Sequence, residues 1–311
     1  VAAGPFVGGL FVSGLGWRSL FLVALPIGAL AIVTVRKQLA ESSIRKTNPP
    51  MDIAGLVFLA IFLGGFVSGL QRLGHGKTAG WQILVSLVAL GLFVLRESRA
   101  ADPALPLSLF KQKGFSAAVV GVFGATLILH ATFFLVPIFI QNLLFGSALM
   151  TGFVLLGLSA VGGAIAPFSG RFSDRVGRRT PAVAGSLSMA AGMGLLSLFS
   201  EDATLIVIAG CLCLVGIGFG LSGTPRQASA LESAHASRTG MAAGIYYSSR
   251  YIGGSIGATL AGVLLAEQAN RANMSRAFGV MFVASLLVAA FTLWLPGARA
   301  LPALGGPGDN P

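Results

Sequence analysis

The sequence predicts an all-α polytopic membrane protein, and three observations carry that prediction. Apolar stretches of about twenty residues recur along the chain, and a helix rising ~1.5 Å per residue needs roughly 20 residues to cross a ~30 Å hydrocarbon core. Apolar residues make up 55% of the 311 residues and charged residues 10%. Soluble domains run near ~45–50% and ~25%, so this inventory cannot build a water-facing surface. Of the 21 Lys and Arg, all but Arg250 fall in the connectors between apolar stretches.

Apolar length, with Gly, Pro and charge as punctuation, divides the chain into ten helices. The first, over 1–15, opens inside an apolar glycine-rich run with no charged n-region and no cleavage site, so it does not read as a signal peptide. We expect the chain to be a fragment whose N-terminal part is missing. The second and third helices, 20–35 and 53–70, are separated by a connector holding Arg36, Lys37, Arg45 and Lys46. The fourth, 81–95, is followed by Arg96, Arg99, Lys111 and Lys113 before the fifth, 115–141. The sixth, 149–169, stops at Gly170, and the seventh, 181–199, opens on Pro181, a residue suited to a first helical turn. The eighth, 204–224, stops before Pro225, and the ninth and tenth span 239–266 and 277–295. The tail from Pro302 to Pro311, rich in Gly and Pro, reads as disordered.

Composition narrows the function classes. The 43 glycines would weaken helices in water, but in lipid small residues let backbones approach closely. The mean hydropathy is +0.85. Cys211 and Cys213 share one apolar run, so no disulfide framework follows. A net charge of +11 raises nucleic acid as a partner. The basic residues are scattered among loops without interleaved aromatics, which excludes that reading and points to membrane orientation instead. Alternate connectors carry fifteen and five Lys and Arg. The richer set (36–52, 96–114, 171–180, 225–238 and the tail) is therefore expected to be cytoplasmic, and with it the C-terminus, in a plasma (inner) membrane.

Three stretches stand out. Gly170-Arg171-Phe172-Ser173-Asp174-Arg175-Val176-Gly177-Arg178-Arg179 places a carboxylate, expected just before a new helix where the dipole favours it, among glycines that permit a tight turn. Arg175, Arg178 and Arg179 can pair with acidic groups or lipid phosphates. Gly4-Pro5-Phe6-Val7-Gly8-Gly9 gives a smooth face through Gly4 and Gly8 and a kink at Pro5. The helix over 239–266 holds Tyr246, Tyr247 and Arg250, followed by Gly253, Gly254 and Gly257. Arg250 lies ~16 Å from Thr239 at ~1.5 Å per residue. An arginine at that depth costs ~2.5–3.5 kcal/mol on insertion scales and normally faces a polar cavity or a partner.

The first stretch resembles the cytoplasmic-loop signature of the major facilitator superfamily, and Gly4-Pro5-x-x-Gly8-Gly9 is similar to the antiporter motif of its fifth helix. Gly14, Trp17, Arg18, Phe21 and Pro26-Ile27-Gly28 follow in the order seen in its fourteen-helix drug:proton antiporters, the EmrB/QacA type. Asp52-Ile53-Ala54-Gly55 resembles the opening of the seventh helix. Pro106-Leu107-Ser108-Leu109-Phe110 with Phe115-Ser116 resembles the approach to the ninth, and Gln141 with Gly146-Ser147-Ala148 its outer end and the start of the tenth. Gly157 departs from the proline often found in the tenth helix.

The resemblance implies the major facilitator superfamily fold, with the ten helices equivalent to the fifth to fourteenth. Residues 1–35 would end the N-terminal six-helix bundle, 36–52 and 96–114 would be cytoplasmic linkers, 53–95 an extra two-helix insertion and 115–297 the C-terminal six-helix bundle, with 298–311 as the tail. It implies no enzymatic activity, no cofactor and no metal. The function expected from it is proton-coupled efflux of small lipophilic or cationic solutes by alternating access, with the proton gradient as the coupling force and substrate, protons and lipids as the partners. The family's coupling carboxylates and arginine lie mainly in its first four helices, so none is assigned here. The rival is a non-transporting receptor or scaffold on the same fold.

Weaker signals remain open. His130, within an apolar helix, is either a proton carrier or an interhelical hydrogen-bonder. Gln141 and Asn142 either line a substrate path or are ordinary interfacial amides, and Glu232 and His235 are expected to be solvated in a loop. Gly218-Phe219-Gly220-Leu221-Ser222-Gly223 matches a dinucleotide fingerprint but follows no strand, and Gly74-His75-Gly76-Lys77-Thr78 lacks the first glycine of a phosphate loop, which falls at Gln71. We expect both to be chance.

Overall fold

The computed structural model describes residues 18–38, 52–74, 78–99, 107–199, 204–234, 239–265 and 270–297. Among the described residues there are nine α-helices: α1 (Ser19–Gln38), α2 (Ile53–Gly74), α3 (Gly80–Arg99), α4 (Lys113–Ile138), α5 (Ala148–Val176), α6 (Arg179–Phe199), α7 (Leu205–Glu232), α8 (Thr239–Leu264) and α9 (Arg271–Thr292). A 3₁₀ turn, Leu107–Lys111, leads into α4, and a π turn, Phe139–Leu143, leaves it. Among the described residues, seven helices, α2 to α7 and α9, are long and apolar enough to cross a membrane. The first predicted helix, 1–15, lies outside the described residues together with Gly4, Pro5, Gly8 and Gly9, as do His235 and the tail 298–311.

α2 and α3 pair with each other, and α2 rests on α8. The remaining helices form a bundle in which α4 packs on α8, α5 and α6 both pack on α7, and α9 packs on α6 and α4. Small residues set these approaches. A Cβ at Gly253 or Gly257 of α8 would run into the backbone carbonyls of Phe123 and Leu127 on α4. The fingerprint-like glycines of α7 work likewise: Gly220 lies on Gly162 of α5, and Gly218 on Gly185 of α6. Their spacing therefore serves packing on two faces of one helix, which explains the motif without a nucleotide.

Three helix ends differ from expectation. α5 continues past Gly170 to Val176 because Gly170 is a packing position, where a Cβ would touch Thr224 at 3.4 Å, and the chain turns only at Gly177, whose φ of 88° favours glycine. α7 continues past Pro225 to Glu232. Proline frees the carbonyl four residues earlier, and Ser169 of α5 donates its hydroxyl to that Leu221 oxygen at 2.5 Å. α9 begins at Arg271, well before 277, because the Asn270 side chain accepts from the Asn273 N–H at 2.8 Å.

Candidate functional site

Polar side chains meet along the seam between α7 and α8. On α7, Phe219, Gly223 and Gln227 recur every fourth residue and so share one face. At one end the Gln227 amide donates to the Tyr247 hydroxyl at 2.8 Å. One turn along, the buried Tyr246 hydroxyl donates to the Gly223 carbonyl at 3.4 Å. One turn further, the Arg250 guanidinium stands 5.8 Å from the centre of the Phe219 ring. A cation over an aromatic face gains about 0.5–2 kcal/mol, more as water is removed, which offsets part of the cost of an arginine midway along a helix.

α4 closes the other side of Arg250. Thr126 Oγ1 lies 2.8 Å from the Arg250 carbonyl and 2.8 Å from that of Val122, so its proton is shared between the two helices. His130, one turn on from Thr126, sits against Gly254, one turn on from Arg250. Its Nδ1 is 2.9 Å from the Thr126 carbonyl. A carbonyl only accepts, so Nδ1 carries the hydrogen, and Nε2 of this exposed ring is left as an acceptor. The interhelical hydrogen bond weighed for His130 is not the one formed: its bond runs within α4. Arg250, Tyr246, Tyr247 and His130 are thus brought to one region. Gln141 is not; it lies on the π turn, its amide 3.5 Å from Thr151 Oγ1 on α5.

The arginine-rich stretch forms a second centre, where α5, α6, α7 and the end of α9 converge. Asp174 does not precede a helix; it sits in the last turn of α5, where the dipole disfavours a carboxylate. Arg178 compensates, with Nη1 2.6 Å from Asp174 Oδ1 and 2.9 Å from Ser173 Oγ. Its Nη2 and Nε reach Glu232 Oε1 and Oε2 at 2.5 and 3.3 Å, so the last residue of α7 is clamped to the turn after α5. Glu232 is therefore not a free loop residue. Its carboxylate, and after it Asp174, holds the Arg178 guanidinium further above the usual arginine range. Arg179 donates through its Nε to the Leu295 carbonyl at 2.8 Å and through its backbone N–H to Pro296 at 3.1 Å, while Gly177 pairs with Gly297. Arg175 is exposed.

A family model described as Major Facilitator Superfamily matches residues 1–258. The chain belongs to the major facilitator superfamily. Relatives within it include the Multidrug resistance protein Stp of Mycobacterium tuberculosis, 31% identical over 270 residues, which cover 85% of this chain and 49% of the relative. The Tetracenomycin C resistance and export protein of Streptomyces glaucescens is 30% identical over 272 residues, 86% of this chain and 50% of the relative. The Lincomycin resistance protein LmrB of Listeria monocytogenes is 27% identical over 292 residues, covering 92% and 62%. The chain spans about half the length of the first of these curated relatives. As a member of this transporter superfamily with seven helices long enough to span, it is an integral membrane protein.

Two charged residues escaped the sequence reading. Arg226 reads as a loop residue because Pro225 reads as a helix stop, yet it is 1% exposed inside α7. Glu97 is 2% exposed on α3. A signal existed for the second: Gln82, Ser86, Ala89, Phe93 and Glu97 recur at helical spacing along the buried face of α3.

Proposed function

We propose that this chain acts in a secondary active exporter that moves small lipophilic or cationic solutes by alternating access, driven by proton entry. The observation that carries this reading is the placement of Arg250, midway along the polar helix α8, over Phe219 of α7 and bound through its carbonyl to Thr126 of α4. A cation costly to bury is kept where three helices meet, as expected of a residue that senses cavity contents or links their motions. The names of the relatives, with their multidrug, tetracenomycin C and lincomycin resistance, favour drug-like solutes.

On this reading α2 and α3 are the extra helix pair of the fourteen-helix EmrB/QacA type, 115–297 is the C-terminal six-helix bundle and 1–35 the end of the first. The basic end of the bundle faces the cytoplasm. The Asp174–Arg178–Glu232 clamp would act as the conformational switch, holding α5 and α7 together in one state and parting in the other. Gln141 and the tyrosines would line the solute path, and His130 Nε2 is a candidate proton carrier.

The test is Arg250→Ala in the full-length protein, with efflux of a fluorescent lipophilic cation followed in inverted vesicles. Transport should fall to background while the protein stays in the membrane at its normal level. Efflux at the unaltered rate would remove Arg250 from the mechanism.

A further inference from the structure

The seam between α7 and α8 is unbalanced both in charge and in hydrogen-bonding capacity. Among the described residues of α4 to α9 the carboxylates are Asp174 and Glu232, and Arg178 holds both at the ends of α5 and α7. The Arg250 guanidinium lies against the Phe219 ring and, among the described residues, has no carboxylate, carbonyl or hydroxyl as acceptor. A guanidinium only donates, so its N–H groups are left over. Tyr247, one turn before Arg250, is in the same condition. Its oxygen accepts from the Gln227 amide at 2.8 Å, and its own hydrogen finds no acceptor among the described residues. Tyr251 is 73% exposed, and positions 247, 250 and 251 fall on one face of α8.

These groups define a complementary ligand. Donors and a positive charge without an acceptor call for an anion, because charge left unpaired at membrane depth is costly. The planar fork of a guanidinium matches a carboxylate, which can take two parallel N–H bonds from it. The rings of Phe219, Tyr247 and Tyr251 favour a flat aromatic body beside that carboxylate. A polyanion such as a nucleotide is disfavoured, since one arginine leaves its remaining charges unpaired. We propose that the α7–α8 seam binds planar aromatic monocarboxylates, with Arg250 taking the carboxylate in its fork and Tyr247 donating its hydroxyl to one of the carboxylate oxygens.

This assignment rests on the reading that the seam lies on the solute path, and it adds a solute class to that path. The two fail separately, because binding is measured without a gradient. Equal affinity for charged and uncharged probes, together with intact efflux by the full-length protein, overturns the carboxylate site alone. Selective binding without efflux supports the site and overturns the transport reading alone.

The probe is 9-anthracenecarboxylate, followed by its fluorescence as it is titrated into the full chain in nanodiscs of uncharged lipid, with empty nanodiscs as the blank. Its neutral isostere, 9-anthracenecarboxamide, is titrated in parallel. Saturable binding of the carboxylate is expected, about tenfold or more tighter than that of the amide. Arg250→Gln should weaken the carboxylate about tenfold and leave the amide unchanged. The bond from Thr126 goes to the backbone carbonyl of residue 250, so this substitution leaves it in place. Tyr247→Phe, which keeps the ring and removes one donor, should weaken the carboxylate about fivefold. Equal affinity of the unaltered protein for the two probes would overturn the assignment. So would retention by Arg250→Gln of carboxylate affinity within about twofold, or an equal loss of both probes, which would mark Arg250 as a support of the seam. If Arg250→Gln yields no folded protein, undiminished carboxylate binding by Tyr247→Phe overturns the assignment by itself.

Discussion

Among the described residues, Arg226 is the largest side chain that is fully buried. Its Nη1 donates to Ser222 at 2.9 Å, and its Nη2 to Ser186 at 2.6 Å and to Thr292 at 3.3 Å. Each of those hydroxyls gives its own proton to the carbonyl four residues earlier in its helix, so its lone pairs are turned to the cation. Gly121 of α4 leaves room for the guanidinium, since a Cβ there would stand 2.8 Å from Nε. One side chain therefore joins α6, α7 and α9 and fills a niche in α4. Arg226→Ala should cost about 2–5 kcal/mol, since it leaves a cavity where the side chain stood and removes three charge-assisted bonds. Arg226→Lys should cost less, because an ammonium keeps the charge but cannot match the planar fork. Thermal unfolding in detergent micelles measures both, and an Arg226→Ala midpoint equal to that of the unaltered protein would contradict the joining role.

At the scale of elements, the α2–α3 pair is fastened at its end by Asp52. Its Oδ1 accepts from the Gly55 N–H at 2.9 Å, capping α2, and both its oxygens lie 2.8–2.9 Å from Arg96 Nε on α3. The Gly55 N–H first, then the Arg96 guanidinium, hold the Asp52 carboxyl below its ordinary range. A carboxyl whose folded pKa is depressed contributes stability that is whole above its unfolded value, near ~4, and is lost as pH falls through the folded value. The pair should therefore hold unchanged between pH 5 and 8, on the order of ordinary assay conditions, and loosen only below about pH 4. Hydrogen exchange at α2 and α3 reads this directly. Asp52→Asn should remove the acid-dependent part while keeping most of the cap, and an undiminished acid transition in that variant would assign it to another group. The element itself was legible because Arg96 and Asp52 flank two apolar runs, but their pairing joins residues 44 apart and is set by how the two helices cross.

For the whole molecule, apolar length gave the helices well and their ends less well, for a shared reason. Gly170 and Pro225 read locally as breaks, and each is overruled by a partner distant in sequence, Thr224 beneath Gly170 and the Ser169 hydroxyl at the carbonyl freed by Pro225, while the stretch before 277 is drawn into α9 by the local Asn270 cap and held on α6 by Ser275, whose hydroxyl donates to the Ser197 carbonyl at 2.7 Å. The same overruling hid Arg226 and turned Glu232 into a clamp. Charge asymmetry is more robust, because it sums over many connectors. The turn at 177–179 binds residues 295–297 after α9, so this basic turn and the last residues of α9 share one end of the bundle. Arg271, at the first residue of α9, is 21 residues before Thr292, or ~32 Å at ~1.5 Å per residue, close to the ~30 Å hydrocarbon thickness. Positions 175 and 271 must therefore lie on opposite sides of a membrane crossed by α9. With Cys211 and Cys213 replaced by serine, a membrane-impermeant maleimide added to intact cells should label Arg271→Cys and spare Arg175→Cys until the membrane is opened. Labelling of both from outside would break the agreement between the packing of α5, α6 and α9 and the distribution of basic residues, and with it the orientation proposed for the exporter.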